Sequence, residues 1–224
     1  MLLIILLDTY YAIIKPPMAK KTHKKLKLVI ASLAAIVLIA ALGFAGYFFF
    51  SYQNSLKPDE TAFNVASDSD KYKLEDTKQF IKLSPANAQG KAVILLPGAF
   101  AEPKGYVASM AALAEKGVTV FIVISPLNFA LLDTSEVSKI ISTYPEINKW
   151  YVAGHSLGGV AACEYAKQNQ ARLSGLILLA SYCNGSAKNL NLPVLSISAT
   201  SDGLTTTDDV KKSRAELPDN TLFV

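Results

Sequence analysis

Two histidines, His23 and His155, are all that this 224-residue chain contains, and cysteine is equally rare, at Cys163 and Cys183. With so few, no C-x-x-C pair, H-E-x-x-H run or Cys/His cluster can be written along the sequence, and no grouped carboxylates replace them, so nothing points to a metal. The two cysteines are open to pairing with each other in an oxidising compartment. Cys163, however, falls two turns into a helix-like stretch, where a small apolar residue is expected in packing. Charge is scarce as well, at 18% of residues, and the net charge of +4 is unevenly spread. Residues 1–27 hold six lysines and one aspartate, leaving 16 basic and 17 acidic residues for 28–224. The larger part of the chain is therefore near neutral, and its basic balance gives no support for a nucleic-acid partner.

The missing charge has a location. From Leu28 to Phe50 there is none at all, and at 1.5 Å per residue that run is long enough to cross a hydrocarbon core of about 30 Å. Lys20, Lys21, Lys24, Lys25 and Lys27 precede it, whereas the flank SYQNSLKPDE that follows has one lysine and two acids. The positive-inside rule then predicts a single-pass protein of the cell membrane, with its N-terminus cytoplasmic and the remainder extracellular, so that the bilayer is its first partner. A cleaved secretory signal is the competing reading, but its apolar core would be too long and no A-x-A site precedes Tyr47. Met1 to Leu7 is too short for a second span and runs into Asp8, Lys15 and Pro16-Pro17, which makes Met18 a natural start. The expected organisation is a basic N-terminus at 1–27, a transmembrane helix at 28–50, a polar stalk at 51–75 and one domain at 76–224.

Within that domain apolar strand-like runs alternate with helical periods. Phe80 to Leu83 reads as an early edge strand. Ala92 to Leu96 is continuously apolar, as expected of a strand buried on both faces of a parallel sheet. Tyr106 to Lys116 has the helical period and Gly117 to end it. Val118 to Ile124 is another strand, and Asp133-Thr134-Ser135-Glu136 opens a helix through about Ser142 with a capping-box pattern. Further strands follow at Trp150 to Ala153, Gly175 to Ser181, Val194 to Thr200 and Thr221 to Val224, separated by helices at Leu157 to Asn169 and Thr207 to Leu217. This alternation predicts an α/β fold with a mostly parallel sheet and helices on both faces.

The segment Gly154-His155-Ser156-Leu157-Gly158-Gly159 lies between a strand and a helix. A G-x-S-x-G nucleophile elbow has that context, with glycines where a sharp turn packs backbone against its neighbours. On these residues, the stretch from Asp76 to Val224 resembles the α/β-hydrolase superfamily, in particular its small, membrane-anchored, single-domain members with a G-H-S-L-G-G elbow. The resemblance implies Ser156 as nucleophile of a serine hydrolase that forms an acyl-enzyme on a small-molecule ester, without cofactor. Its chain order of Ser, then Asp, then His gives the acid role to Asp202, in the loop after a strand, over Asp208 and Asp209, which look like first-turn helix acids. The oxyanion hole maps to the amides of Leu157 and of Ala99 or Phe100, and Phe100 and Tyr106 lie where they would shape a pocket.

A histidine base has no counterpart in this sequence. His23 is across the expected membrane from Ser156, and the side chain of His155 points away from its neighbour's. Family members carry that histidine in the loop after the last strand, so the expectation is a chain that stops before it and is inactive as it stands. A noncatalytic hydrolase-like module that binds a ligand or partner at the cell surface is the alternative.

Overall fold

The computed structural model describes residues 20–200, 202 and 207–224. The expected start at Met18, and Ser201 and Gly203 beside Asp202, lie outside the described residues. The chain divides into two units, Met1–Phe50 and Ser51–Val224. Helix α1, Lys20–Gln53, carries the apolar run. Its described side chains from Leu26 onward are exposed almost without exception, and the stretch Leu26–Gln53 is long and apolar enough to cross a membrane. A helix that is hydrophobic all round is what lipid, and not water, favours.

The second unit is built on a sheet of eight strands in the order β1-β2-β4-β3-β5-β6-β7-β8. They are β1 Tyr72–Asp76, β2 Phe80–Pro85, β3 Lys91–Leu96, β4 Thr119–Val123, β5 Lys149–His155, β6 Gly175–Leu179, β7 Val194–Ile197 and β8 Leu222–Phe223. Strand β2 runs antiparallel to both β1 and β4, and every pairing from β4 through β3 to β8 is parallel. Helices α2 Glu60–Ser67, α3 Val107–Glu115, α4 Ser135–Thr143, α5 Leu157–Asn169 and α6 Thr207–Arg214 complete the unit.

Why the central strands read as unbroken apolar runs is plain from the two cores. Ala92, Ile94 and Leu96 of β3 join Val137 and Ile140 of α4 and Ala161, Ala162 and Ala166 of α5 on one face. Val93 and Leu95 point the other way, to Val107, Ala111 and Ala114 of α3 and Ala66 of α2. Successive side chains of a strand leave on opposite faces, so a sheet covered on both sides needs apolar residues at every position. Helix α3 ends as its sequence suggests. Gly117 at φ +85° donates to the Ala114 carbonyl, and Val118 donates to that of Leu113, the paired bonds of a Schellman motif.

Three expectations change. Residues 51–75 are part of the compact unit: β1 extends the sheet by pairing along β2, and the Tyr72 hydroxyl donates to the Ala66 carbonyl. The polar composition misled here because an edge strand and a helix with one buried residue, Ala66, need few apolar side chains. It follows that β2 is not an edge strand. Finally, Cys163 and Cys183 form a disulfide, with Cα atoms 5.5 Å apart. Both lie in the apolar core, so Cys163 does fill space in α5, but it also crosslinks the helix to the loop after β6. That proximity depends on how α5 returns over the sheet, which spacing in the sequence does not encode.

Candidate active site

Strands β4 and β5 lie on opposite sides of β3, although the chain visits β3, β4 and β5 in turn. In such sheets a reversal of this kind marks the usual ligand position, here the carboxyl ends of β3 and β5. Ser156 stands there, between the last residue of β5 and the first of α5, with φ 50° and ψ −126°. For a residue with a Cβ this backbone costs about 1–3 kcal/mol and persists only where the surroundings enforce it. Three hydrogen bonds do so: the Ser156 N–H donates to the Leu179 carbonyl at 3.0 Å, and its own carbonyl accepts from the Gly159 N–H at 2.9 Å and from the Ser181 hydroxyl at 2.6 Å. The glycines are sterically required. A Cβ on Gly154 would strike the Gly158 backbone, and one on Gly158 would strike the carbonyls of Leu96 and Pro97.

The parallel register sets Leu96 level with Gly154, so the loop after β3 faces the elbow. Here Tyr106 acts as a tie. Its hydroxyl accepts the Gly98 N–H at 3.0 Å and lies 2.9 Å from Nδ1 of His155. With one lone pair taken by Gly98, the phenol proton is available to Nδ1 when the neutral imidazole carries its own hydrogen on Nε2. Electrostatics agree. Burial pushes the His155 pKa below its ordinary value, with the Asp202 carboxylate opposing, and burial raises that of Tyr106 against the effect of the Gly98 amide. His155 is thus a neutral strut beneath the elbow.

Of the two expected second oxyanion donors, Phe100 is already engaged: its N–H donates to the Asn128 carbonyl at 2.9 Å, and it sits at φ 55°. Among the described residues the Ala99 amide carries no hydrogen bond, and Leu157, as the first residue of α5, has no acceptor within its helix. Asp202 is partly buried and close enough for its charge to act on His155, which puts it at the same end of the sheet as Ser156. The chain leaves β7 already at Ile197, earlier than the expected Thr200, so Asp202 is carried on a longer loop. Among the described residues no group of three or more His, Cys, Asp and Glu side chains lies together to hold a metal ion.

A cavity of about 420 Å³ opens at this end too, lined by Tyr52, Ser55, Lys57, Glu102, Lys104 and Asn128 among others. Ser156 does not line it. Two roles at the site escaped the sequence, although Tyr106 itself was expected beside the pocket. Ser181, which holds the elbow carbonyl, is one serine after a strand, and Tyr106, the tie between two loops, is one aromatic at the start of a helical period. Neither position carries a local signal, because each role exists only once β3, β5 and β6 are side by side.

The model of the alpha/beta hydrolase family matches residues 92–224. No curated protein matches the chain. The matched span begins in β3 and takes in the elbow, the Asp202 loop and β8, and a hydrolase-type function follows from it at the level of the family.

Proposed function

The chain belongs to the alpha/beta hydrolase family, and we propose that it is a membrane-anchored, extracytoplasmic serine hydrolase that cleaves carboxylic esters through an acyl-enzyme at Ser156. The observation that carries this reading is the backbone of Ser156, a non-glycine residue at φ 50° held by three hydrogen bonds at the head of α5. Strain kept at a strand's carboxyl end is characteristic of a group that must be presented.

In the proposed reaction the Ser156 hydroxyl adds to the ester carbonyl while a base accepts its proton. The oxyanion is held by the amides of Leu157 and Ala99, the alcohol departs with the proton, and water then releases the acid by the same steps. Asp202 orients the base, a role that the family gives to a histidine in the loop after its last strand. His155 does not serve, because its Nδ1 is occupied by Tyr106, and His23 precedes the span. With Nδ1 of His155 taken by Tyr106, the noncatalytic module is the second reading.

A fluorophosphonate probe tests the choice. It labels the protein when Ser156 is an activated nucleophile, and spares its Ser156→Ala form. Asp202→Asn in the labelled protein lowers turnover by up to about 10⁴-fold, as for a base left in the wrong tautomer. If the protein never labels and hydrolyses no short-chain p-nitrophenyl ester, the binding module replaces the enzyme. Orientation is tested separately: protease added to intact cells digests residues beyond 55, and full protection of them refutes the extracytoplasmic placement.

A further inference from the structure

The chain reaches the domain by way of its catalytic end. Directly after the helix that carries the apolar run, Leu56 is fixed as a short bridge beside Ala101. Its N–H donates to the Phe100 carbonyl at 2.7 Å, and its carbonyl accepts the Glu102 N–H at 3.0 Å. These are the residues of the loop after β3, the one that faces the elbow. From Phe50, the last residue of the apolar run, to Leu56 the chain can extend at most about 20 Å at 3.3–3.6 Å per residue. This bound follows from chain length alone. The layer of lipid headgroups takes up about 5–8 Å of it.

That end exposes large apolar side chains beside charged ones such as Lys57 and Lys104. Leu56 is 74% exposed, and the loop after β4 shows Leu127, Leu131 and Leu132 at 45%, 43% and 54%. They are not loose. Asn128 accepts the Phe100 N–H, the Phe100 and Phe129 rings lie 5.8 Å apart, Ala130 is buried in the core, and the turn Ala130–Leu132 packs on α5. A rigid scaffold therefore holds several leucines in solvent, which soluble surfaces avoid unless something covers them. The opposite end of the sheet shows Lys116, Glu146, Asn148 and Lys149 instead.

We propose that the strand-end face bearing Ser156 docks on the bilayer surface, with Leu56, Leu127, Leu131 and Leu132 entering the interface, and that the substrate is an ester borne by a membrane-resident lipid. The surface claim rests on α1 spanning the membrane, and the substrate claim also on Ser156 being the nucleophile. Burying apolar side chains in the interface gains free energy in proportion to the area removed from water. An ester held at headgroup depth then needs no transfer through water to reach the carboxyl ends of β3 and β5.

Depth measurement tests the surface without reference to activity. Both native cysteines are paired in the disulfide, so Leu131→Cys and Asn148→Cys each accept one thiol-reactive fluorophore in the full-length chain reconstituted into phosphatidylcholine and phosphatidylglycerol vesicles. Headgroup spin-labelled phospholipid is expected to quench the reporter at 131 several-fold more than that at 148, and a Leu56→Ser/Leu127→Ser/Leu132→Ser background to remove the difference. Equal quenching at the two positions overturns the proposal. Quenching at 131 alone, in a protein whose Ser156 never reacts with fluorophosphonate, supports the docked face and refutes the hydrolase reading on which the substrate claim depends.

Discussion

The two ends of the sheet solve the same backbone problem in opposite ways. Entering β3 and β4, the chain turns through positive φ at Gly90 and Gly117, where no Cβ resists it. Leaving β3, β4, β5 and β6, it does so at Phe100, Leu127, Asn128, Ser156 and Ala180, every one of them with a side chain. Among the described residues these five are the whole set of non-glycine residues at positive φ. Glycine would serve any of these turns at lower cost, so the difference shows that the carboxyl end holds strain in exchange for side chains placed at the usual ligand position. The amino end, with only turns to make, uses the cheaper residue.

The largest effect should come from closing the elbow's own gap. Gly158→Ala sets a Cβ against the Leu96 and Pro97 carbonyls, which belong to the central strand and its exit and cannot retreat. A loss of about 3 kcal/mol or more is expected, read from denaturant unfolding. Removing the crosslink with Cys163→Ala and Cys183→Ala should cost about 3 kcal/mol, the loop-closure entropy for a separation of 20 residues. An unchanged midpoint in non-reducing denaturant would show that the disulfide contributes nothing at this end.

The comparison itself is most exposed to a pair of reciprocal changes. Gly117→Ala, at φ +85°, should lose about 1–2 kcal/mol. Ser156→Gly should instead gain about 1 kcal/mol by releasing strain, while abolishing any labelling of the nucleophile. If both changes destabilise, the two ends are not different in kind and the argument from strain fails.

The smallest expected effect is in pH. Burial depresses the His155 pKa below the ordinary 6.5, so the folded state favours the neutral ring. The stability this gives is present above the unfolded pKa and is lost as pH falls from about 6.5 through the folded value. Protonation would also oblige the Tyr106 hydroxyl to accept at Nδ1. Thermal midpoints measured from pH 7.5 down to 5 should fall less steeply in His155→Asn than in the parent, the other acid-sensitive groups being common to both.

Much of this molecule is local and could be read in order. The apolar run of α1, the doubly buried strands, the Schellman end of α3 and the strand, Ser156 and helix sequence of the elbow each follow from residues close together in the chain. Residues 51–75 read as a stalk because their pattern is weak: α2 buries one residue and β1 lies at a sheet edge, so composition alone looks like a linker. Asp202 was found by order along the chain, yet its nearness to His155 is a tertiary fact.

The sequence by itself determined the secondary structure of the central strands, the apolar helix and the strand-turn-helix around Ser156, because side-chain periodicity and backbone preference act over a few residues. Only the tertiary structure decided that Tyr106 joins Gly98 to His155, that Ser181 holds the Ser156 carbonyl, that Phe100 and not Ala99 gives up its amide to Asn128, and that Cys163 meets Cys183. Each of these joins segments that follow different strands, and their distances are set by the order in which the strands lie in the sheet, a quantity that no short stretch of residues encodes.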